Sequence, residues 1–346
     1  MNRSITFTSI LISVCLIGYL LMAGRGFILP WVMALFIWNL LNTLSNAIKT
    51  LPYIGKRLPT ALSMLASFLV VITFIWILVQ IVANDVNEVI SASARYQDNF
   101  RSFMGQFNED LISKALKGLN QILKDLNFQS ILLNLYGGFT TVAGSAVLIA
   151  LYVSFLFVEQ SFFTKKLEIL VPSAAKRKVI KQLIEKTIED TQLYLGLKTL
   201  MGLLTAVASW IIMMWIGLDF AEFWALLIFF LNYIPNIGAI IATLFPALLA
   251  LIQFQSLGLC MVMTSGLVIV QFIIGNILEP KYMGKSLNLS PLVILFALGL
   301  WGVIWGVLGM FLAVPITVMM IILFAHFKAT RPIAVLLSKN GQIDME

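Results

Sequence analysis

The sequence predicts an all-α, polytopic integral membrane protein of about eight membrane elements. Two of these elements are expected to be broken re-entrant hairpins in an inverted repeat, and a small extramembrane helical segment is expected beside them. Three observations carry this. Of the 346 residues, 60% are hydrophobic and only 11% are charged, with a mean hydropathy of +0.97, whereas soluble domains carry roughly 25% charged residues. The apolar stretches run unbroken for about 18 residues or more, the length of a membrane helix, and do not alternate over about ten residues as barrel strands do. Finally, lysines and arginines gather in alternate loops, as the positive-inside rule requires.

The first three spans are predicted at 5–23, 27–47 and 61–83, forming an N-terminal segment over 1–83. Arg3 followed by the run 5–23 resembles the start of a signal peptide. The run exceeds the usual apolar core of about 7–15 residues and lacks an A-x-A site, so it reads as a retained helix. Residues 84–136 contain no run of membrane length; Val89, Phe100, Phe103, Phe107, Leu111 and Leu119 fall at helical spacing among polar residues. This stretch is expected to be amphipathic helix outside the membrane. A fourth span follows at 138–158, within a segment bounded at 137–160. Within 161–197, Ser173 can cap a helix whose apolar stripe is Val179, Ile180, Leu183, Ile184, Thr187 and Ile188. Its basic residues suit the inner membrane surface.

Orientation follows from charge. Loop 48–60 holds Lys49, Lys56 and Arg57 without an acid, and 159–198 holds eight basic against five acidic residues. Segment 84–136 is balanced, with five basic and six acidic residues. Both termini and the two basic loops are therefore expected in the cytoplasm, with 84–136 on the other side of the membrane.

The expected transport core covers 198–327, ahead of a tail at 328–346. After a span at 198–217 comes an apolar block at 220–252, then a span at 256–278 and a second block at 289–327. Each block is too long for one crossing of about 20 residues. The first is interrupted by Asn232-Tyr-Ile-Pro-Asn-Ile-Gly238 and carries Pro246; the second has glycines from Gly299 to Gly309 and then Pro315. Proline and glycine at these places should break the helix, and a hairpin re-entering from one side satisfies the side count. Span plus broken hairpin then occurs twice with opposite orientation, the arrangement of secondary transporters whose substrate site lies at the breaks. The weak match pairs Gly238 to Pro246 with Gly306 to Pro315.

On this reading the candidate transport path is lined by Asn232, Pro235, Asn236, Gly238, Gln271, Asn276, Glu279, Pro280, Gly306, Gly309 and Pro315. The amides can donate and accept, which suits a neutral polyhydroxy ligand; they can equally satisfy backbone groups freed at the breaks. Glu279 has two readings: an ion pair with Lys281 or Lys285 that ends the span at Pro280, or a carboxylate facing a polar cavity. Ser290-Pro291 should start the next helix with a cap and an N1 proline. Thr243, Thr264 and Thr317 should bond back within their own helices, and His326, the sole histidine, should lie at a helix C-terminus.

Several functions are set aside. One histidine and two separated cysteines, Cys15 and Cys260, cannot form a metal constellation or a redox pair. There is no P-loop, no HExxH, no serine–histidine arrangement and no basic stripe with aromatics for nucleic acid. The protein is expected to be no enzyme and to need no cofactor.

The motifs Asn232-Tyr-Ile-Pro-Asn-Ile-Gly238, Gly275-Asn-Ile-Leu-Glu-Pro280, Met283-Gly-Lys-Ser-Leu-Asn-Leu-Ser-Pro-Leu292 and Trp301-Gly to Gly309-Met-Phe-Leu-Ala-Val-Pro315 resemble the autoinducer-2 exporter family of bacterial membrane proteins, the PerM-like permeases. The resemblance covers essentially the whole chain and is most similar to the quorum-signal transporter branch. It implies export of a small polar signal, autoinducer-2, by a homo-oligomer in contact with membrane lipid. Other members resemble sodium (or lithium)/proton antiporters, so the fold leaves the substrate open.

Overall fold

The computed structural model describes residues 3–50, 52, 58–105, 144–235, 237–283, 289–326, 329–339 and 341. Among them the regular structure is helical: α1 (Arg3–Ala23), α2 (Arg25–Thr50), α3 (Thr60–Gly105), α4 (Ala146–Leu170), α5 (Ala174–Ile216), α6 (Ala221–Leu231), α7 (Ile237–Phe254), α8 (Leu257–Phe272), a π-helical turn (Ile273–Leu278), α9 (Glu279–Met283), α10 (Pro291–Trp305), α11 (Val307–His326) and α12 (Arg331–Leu337). Seven of the described helices are long and apolar enough to cross a membrane. The molecule is an all-α polytopic membrane protein.

Two predicted boundaries are not helix ends. The third span does not stop near residue 83, because α3 continues through Gly105 as one helix of 46 residues, about 69 Å at 1.5 Å per residue. Likewise α5 joins the amphipathic stretch beginning at Ala174 to the span ending at Ile216, as 43 continuous residues. The reason is the same in both. Polarity changes at Asn84 and near Lys198, but neither junction carries a proline, and backbone hydrogen bonding is indifferent to side-chain polarity. The remainder of the predicted extramembrane segment, 106–136, lies outside the described residues.

The chain divides into two compact units, and the division falls inside α3 after Ser67 and inside α5 after Gly196. The first unit takes 1–67, 142–196 and 285–346. Here α2 packs on α4, with Phe27 edge-on to Tyr152 at 6.1 Å and Trp38 Nε1 donating to Gln160 at 3.2 Å. A polar line runs along the buried side of α2. Asn39 and Asn42 give their amide hydrogens to the carbonyls one turn back, and Ser45 meets Ser63 of α3 at 2.8 Å. Thr43 Oγ1 lies 3.4 Å from the Gln192 carbonyl, and the approach depends on Gly196, where a Cβ would lie 2.7 Å from Thr43 Cγ2.

The second predicted block belongs to this unit. It breaks at a single residue, Gly306, whose φ of +68° and ψ of −146° suit only glycine. The limbs α10 and α11 pack on each other. Gly309 makes the crossing possible, because a Cβ there would sit 1.9 Å from the Trp301 carbonyl oxygen. Pro291 occupies the first turn of α10 after Ser290, as expected, although the serine side chain makes no capping bond. The end of α12 folds back on this start, with Ser290 N–H donating to the Leu337 carbonyl.

The second unit takes 68–141 and 197–284 and contains the first block. Its break falls between Leu231 and Ile237, and α6 and α7 pack together. Gly238 does here what Gly309 does in the other hairpin: a Cβ would lie 1.8 Å from the Leu231 carbonyl oxygen. The counterpart of Gly238 is thus Gly309, not Gly306, which corrects the pairing read from the sequence. Neither later proline breaks its helix, as Pro246 lies within α7 and Pro315 within α11.

The expectation that the span ends at Pro280 is also corrected. The chain passes from α8 through the π turn into α9, with Pro280 as the second residue of that last piece. Proline lacks the N–H for the carbonyl four residues back and pushes that carbonyl away. A wider turn just before it relieves the conflict, and the Glu279 N–H bonds instead to the Ile274 carbonyl, five residues back.

Candidate functional site

In the second unit, polar side chains gather at two levels, one towards each end of α6. The first level is built where α5 meets the first break. Lys198 Nζ donates to Glu279 Oε1 at 2.6 Å, and the two side chains are only 5% and 21% exposed. The expected partners of Glu279 were Lys281 and Lys285. Lys281 is two residues away, a spacing that points to another side of a helix, and it is exposed; Lys285 lies outside the described residues. Burial explains why the pair must stay together: an isolated charge would be costly in this environment, whereas a close pair offsets much of that desolvation.

The next residue of α5, Thr199, hydrogen-bonds the hydroxyl of Tyr233 at 2.6 Å, and Tyr233 is 2% exposed. Farther along, Asn232 Nδ2 donates to Thr205 Oγ1 at 3.4 Å, and Thr205 itself donates to the Met201 carbonyl. The turn Asn232–Pro235 is therefore held by its side chains on α5, with Phe229 packing on Tyr233 and on Phe74. Two buried oxygens here, Asn232 Oδ1 and Ser209 Oγ, have no hydrogen-bond partner. Such atoms are expensive to bury and mark places where a ligand or water hydroxyl would be welcome.

The second level lies at the opposite end of α6, where Asp219 is the hub. Its carboxylate accepts from Tyr96 Oη at 2.8 Å, from Arg95 at 3.2 Å and from Gln253 Nε2 at 3.1 Å, and its N–H donates to Gln253 Oε1 at 2.8 Å. Gln253 also donates to the Gly217 carbonyl, and Gln255 to the Asn99 carbonyl. Burial, aided by Asp219, pushes the Tyr96 phenol up to about 12, so it remains a donor throughout the physiological range.

The predicted path residues separate as follows. Asn232, Pro235 and Gly238 form the first break, and Glu279 reaches the same stretch of α5 through Lys198. Gln271 is half-buried near the end of α8, while Asn276 and Pro280 are exposed. Asn236 lies outside the described residues. Gly306, Gly309 and Pro315 belong to the other unit. Thr243, Thr264 and Thr317 each donate to the carbonyl four residues back, as expected. Cys15 and Cys260 are free thiols, and His326 is the last residue of α11.

Lys198, Thr199, Thr205 and Tyr233 escaped the sequence reading. Lys198 had been counted as a loop charge. A signal was present nonetheless: Lys198, Gly202, Thr205 and Ser209 recur at intervals of four and three, a small and polar stripe on an apolar helix. All four are buried.

Comparison with known proteins points to a family of transporters. Residues 9–329 match the profile described as AI-2E family transporter. The chain is 28% identical over 316 residues to the AI-2 transport protein TqsA of Escherichia coli K12, covering 90% of this chain and 89% of that one. It is 29% identical over 284 residues to the same organism's "Putative transport protein YhhT", covering 78% and 79%. A Borreliella burgdorferi transport protein of the same description is 33% identical over 215 residues, covering 61% of this chain and 59% of its own. With the family profile spanning nearly its whole length, this chain belongs to the AI-2E family of transporters.

Proposed function

We propose that this protein exports a small polar signalling metabolite, autoinducer-2, across the bacterial inner membrane by alternating access around two broken re-entrant hairpins. The observation that carries the reading is the first break. It brings Asn232 and Tyr233 against α5 beside a Lys198–Glu279 pair whose charges cancel. A buried strip with open hydrogen-bonding capacity and no net charge suits a neutral hydroxylated solute. The likeness to TqsA, named as an AI-2 transport protein, supports the substrate. The re-entrant reading draws support from α6, whose eleven residues span about 16 Å against a hydrocarbon core of about 30 Å. We place both termini in the cytoplasm, by the distribution of basic residues, and take the working form to be a homo-oligomer in contact with lipid.

The test is the intracellular autoinducer-2 level in cells lacking the protein, restored with the native chain or with Asn232→Ala. Accumulation relieved by the native chain and much less by the variant is expected. An unchanged level on deletion would sink the export reading.

A second reading is sodium (or lithium)/proton antiport. It is favoured by one observation, the titratable carboxylate of Glu279 largely buried in the core against Lys198. Sodium-dependent proton movement in proteoliposomes, abolished by Glu279→Gln, would select it over metabolite export.

A further inference from the structure

The cluster around Asp219 ties together three separate pieces of chain. Asp219 precedes α6, Gln253 lies in the last turn of α7, and Arg95, Tyr96 and Asn99 belong to the distal part of α3. Four hydrogen bonds meet at Asp219 itself, and Gln253 and Gln255 add two more to backbone carbonyls. Both ends of the hairpin, entry and exit, are thus fastened to each other and to α3. The Arg95–Asp219 pair is solvent-exposed, at 63% and 35%, but Tyr96 is 8% exposed and its bond to Asp219 is part-buried, so the clamp is more than a surface ion pair.

Two further facts separate this cluster from an ordinary cap. Phe220 and Gln255 have φ of +59° and +49°. These are the only non-glycine residues with positive φ among those described, and they flank the hairpin at its two ends. The left-handed region is unfavourable for such side chains, and strain of this kind persists only where the surroundings over-determine it. The clamp supplies that constraint. The second fact concerns α6. Its eleven residues contain neither glycine nor proline, and all but Glu222 and Phe230 are buried. Such a helix is a stiff rod of about 16 Å, with the clamp at one end and Asn232–Tyr233 at the other.

We propose that Asp219 is a positioning residue for transport: by fixing the base of the first hairpin, it sets where Asn232 and Tyr233 meet α5. The inference rests on the reading of that turn as part of the substrate path. Asp219 touches no substrate; it acts through α6. Loosening the base lets the rod tilt, relaxes Phe220 and Gln255, and displaces the turn from Thr199 and Thr205.

The experiment uses the full-length protein in lipid nanodiscs, with hydrogen exchange followed at 217–224, 250–258 and 230–238. Asp219→Ala is expected to raise exchange about tenfold, the equivalent of one broken charged hydrogen-bond set, at both ends of the hairpin and also at the turn. Tyr96→Phe removes one donor without disturbing the fold and should give a smaller rise in the same three segments. Lys198→Met, which strands Glu279, should raise exchange at the turn more than at 250–258. In proteoliposomes, Asp219→Ala should raise the KM for autoinducer-2 severalfold more than it lowers the maximal rate, and Asp219→Asn, which keeps an acceptor for Tyr96, should recover part of the loss. A mere loss of folded copies would lower the rate alone. If exchange rises only at the base, or nowhere, the proposal is overturned whatever the transport result. If native protein moves no autoinducer-2 while the three segments still respond together, the substrate reading fails and the positioning role stands.

Discussion

The two broken hairpins share one device and differ in everything around it. In each, a glycine early in the second limb lets that limb cross the carbonyl of the first, Gly238 over Leu231 and Gly309 over Trp301. In the hairpin of α10 and α11 the break is one residue, apolar on both sides, and its flanking Trp305 donates to the Leu21 carbonyl of α1 at 3.1 Å. In the hairpin of α6 and α7 the break is a polar turn whose side chains reach α5. The crossing is therefore an architectural requirement, while among the described residues the first break carries several side-chain hydrogen bonds to a neighbouring helix and the second a single one, from Trp305. A repeat in backbone need not be a repeat in function.

The harshest way to break this comparison is to add a methyl group at the shared crossing. Gly238→Ala and Gly309→Ala place carbon on a backbone oxygen that cannot move aside without opening the hairpin. Each should cost more than about 3 kcal/mol and abolish monodisperse protein on gel filtration in detergent. Gly275→Ala and Gly299→Ala, which meet nothing within 4 Å, should melt at or above the native temperature. Equal tolerance of all four would remove the common device.

Next come the charges that belong to the first hairpin's side alone. Lys198→Met or Glu279→Gln leaves one partner stranded and should lower stability by about 3–5 kcal/mol; the double variant should recover much of that. A double-mutant cycle on thermal melts reads the coupling directly, and additive losses would mean the two residues do not depend on each other.

Gly306→Ala sharpens the comparison from the other side, since the φ of +68° at that break is absent from the described residues of the first turn. The expected loss is about 1–3 kcal/mol, read on thermal melts against the native protein. The smallest effect is expected for Tyr233→Phe, which removes one hydrogen bond worth about 1 kcal/mol. Its melting temperature should barely move, while the KM for the transported solute rises; a fall in melting temperature with unchanged KM would make Tyr233 structural only.

Breaks were legible in the sequence where backbone chemistry dictates them. Asn232–Gly238 and Gly306 carry turn residues that no continuous helix needs, and both broke. Pro246 and Pro315 were over-read, because one proline inside a well-packed apolar helix is tolerated. Helix continuity at Asn84 and Lys198 was under-read, because a change in hydropathy marks a change of surroundings and says nothing about φ and ψ. The partner of Glu279 could not be read at all. Lys198 is 81 positions away, and a local sequence window sees only Lys281 and Lys285. The Asp219 clamp was invisible for the same reason, as its donors come from residues 95, 96 and 253.

The π-helical turn at Ile273–Leu278 acts as a counter. An α-helix advances about 100° per residue, and a π turn in effect accommodates one residue more than a regular turn would. Where Glu279 emerges around the helix is thus set by how many residues are packed between Phe272 and Pro280, and not by the direction of the axis. Deleting Gly275, whose own side of the helix is empty, would restore ordinary winding and leave the carboxylate facing Lys198, because the removed residue is the one the wide turn absorbs. Forcing ordinary winding with every residue kept would instead rotate the carboxylate by up to about 100°, and the ion pair would be lost to arithmetic.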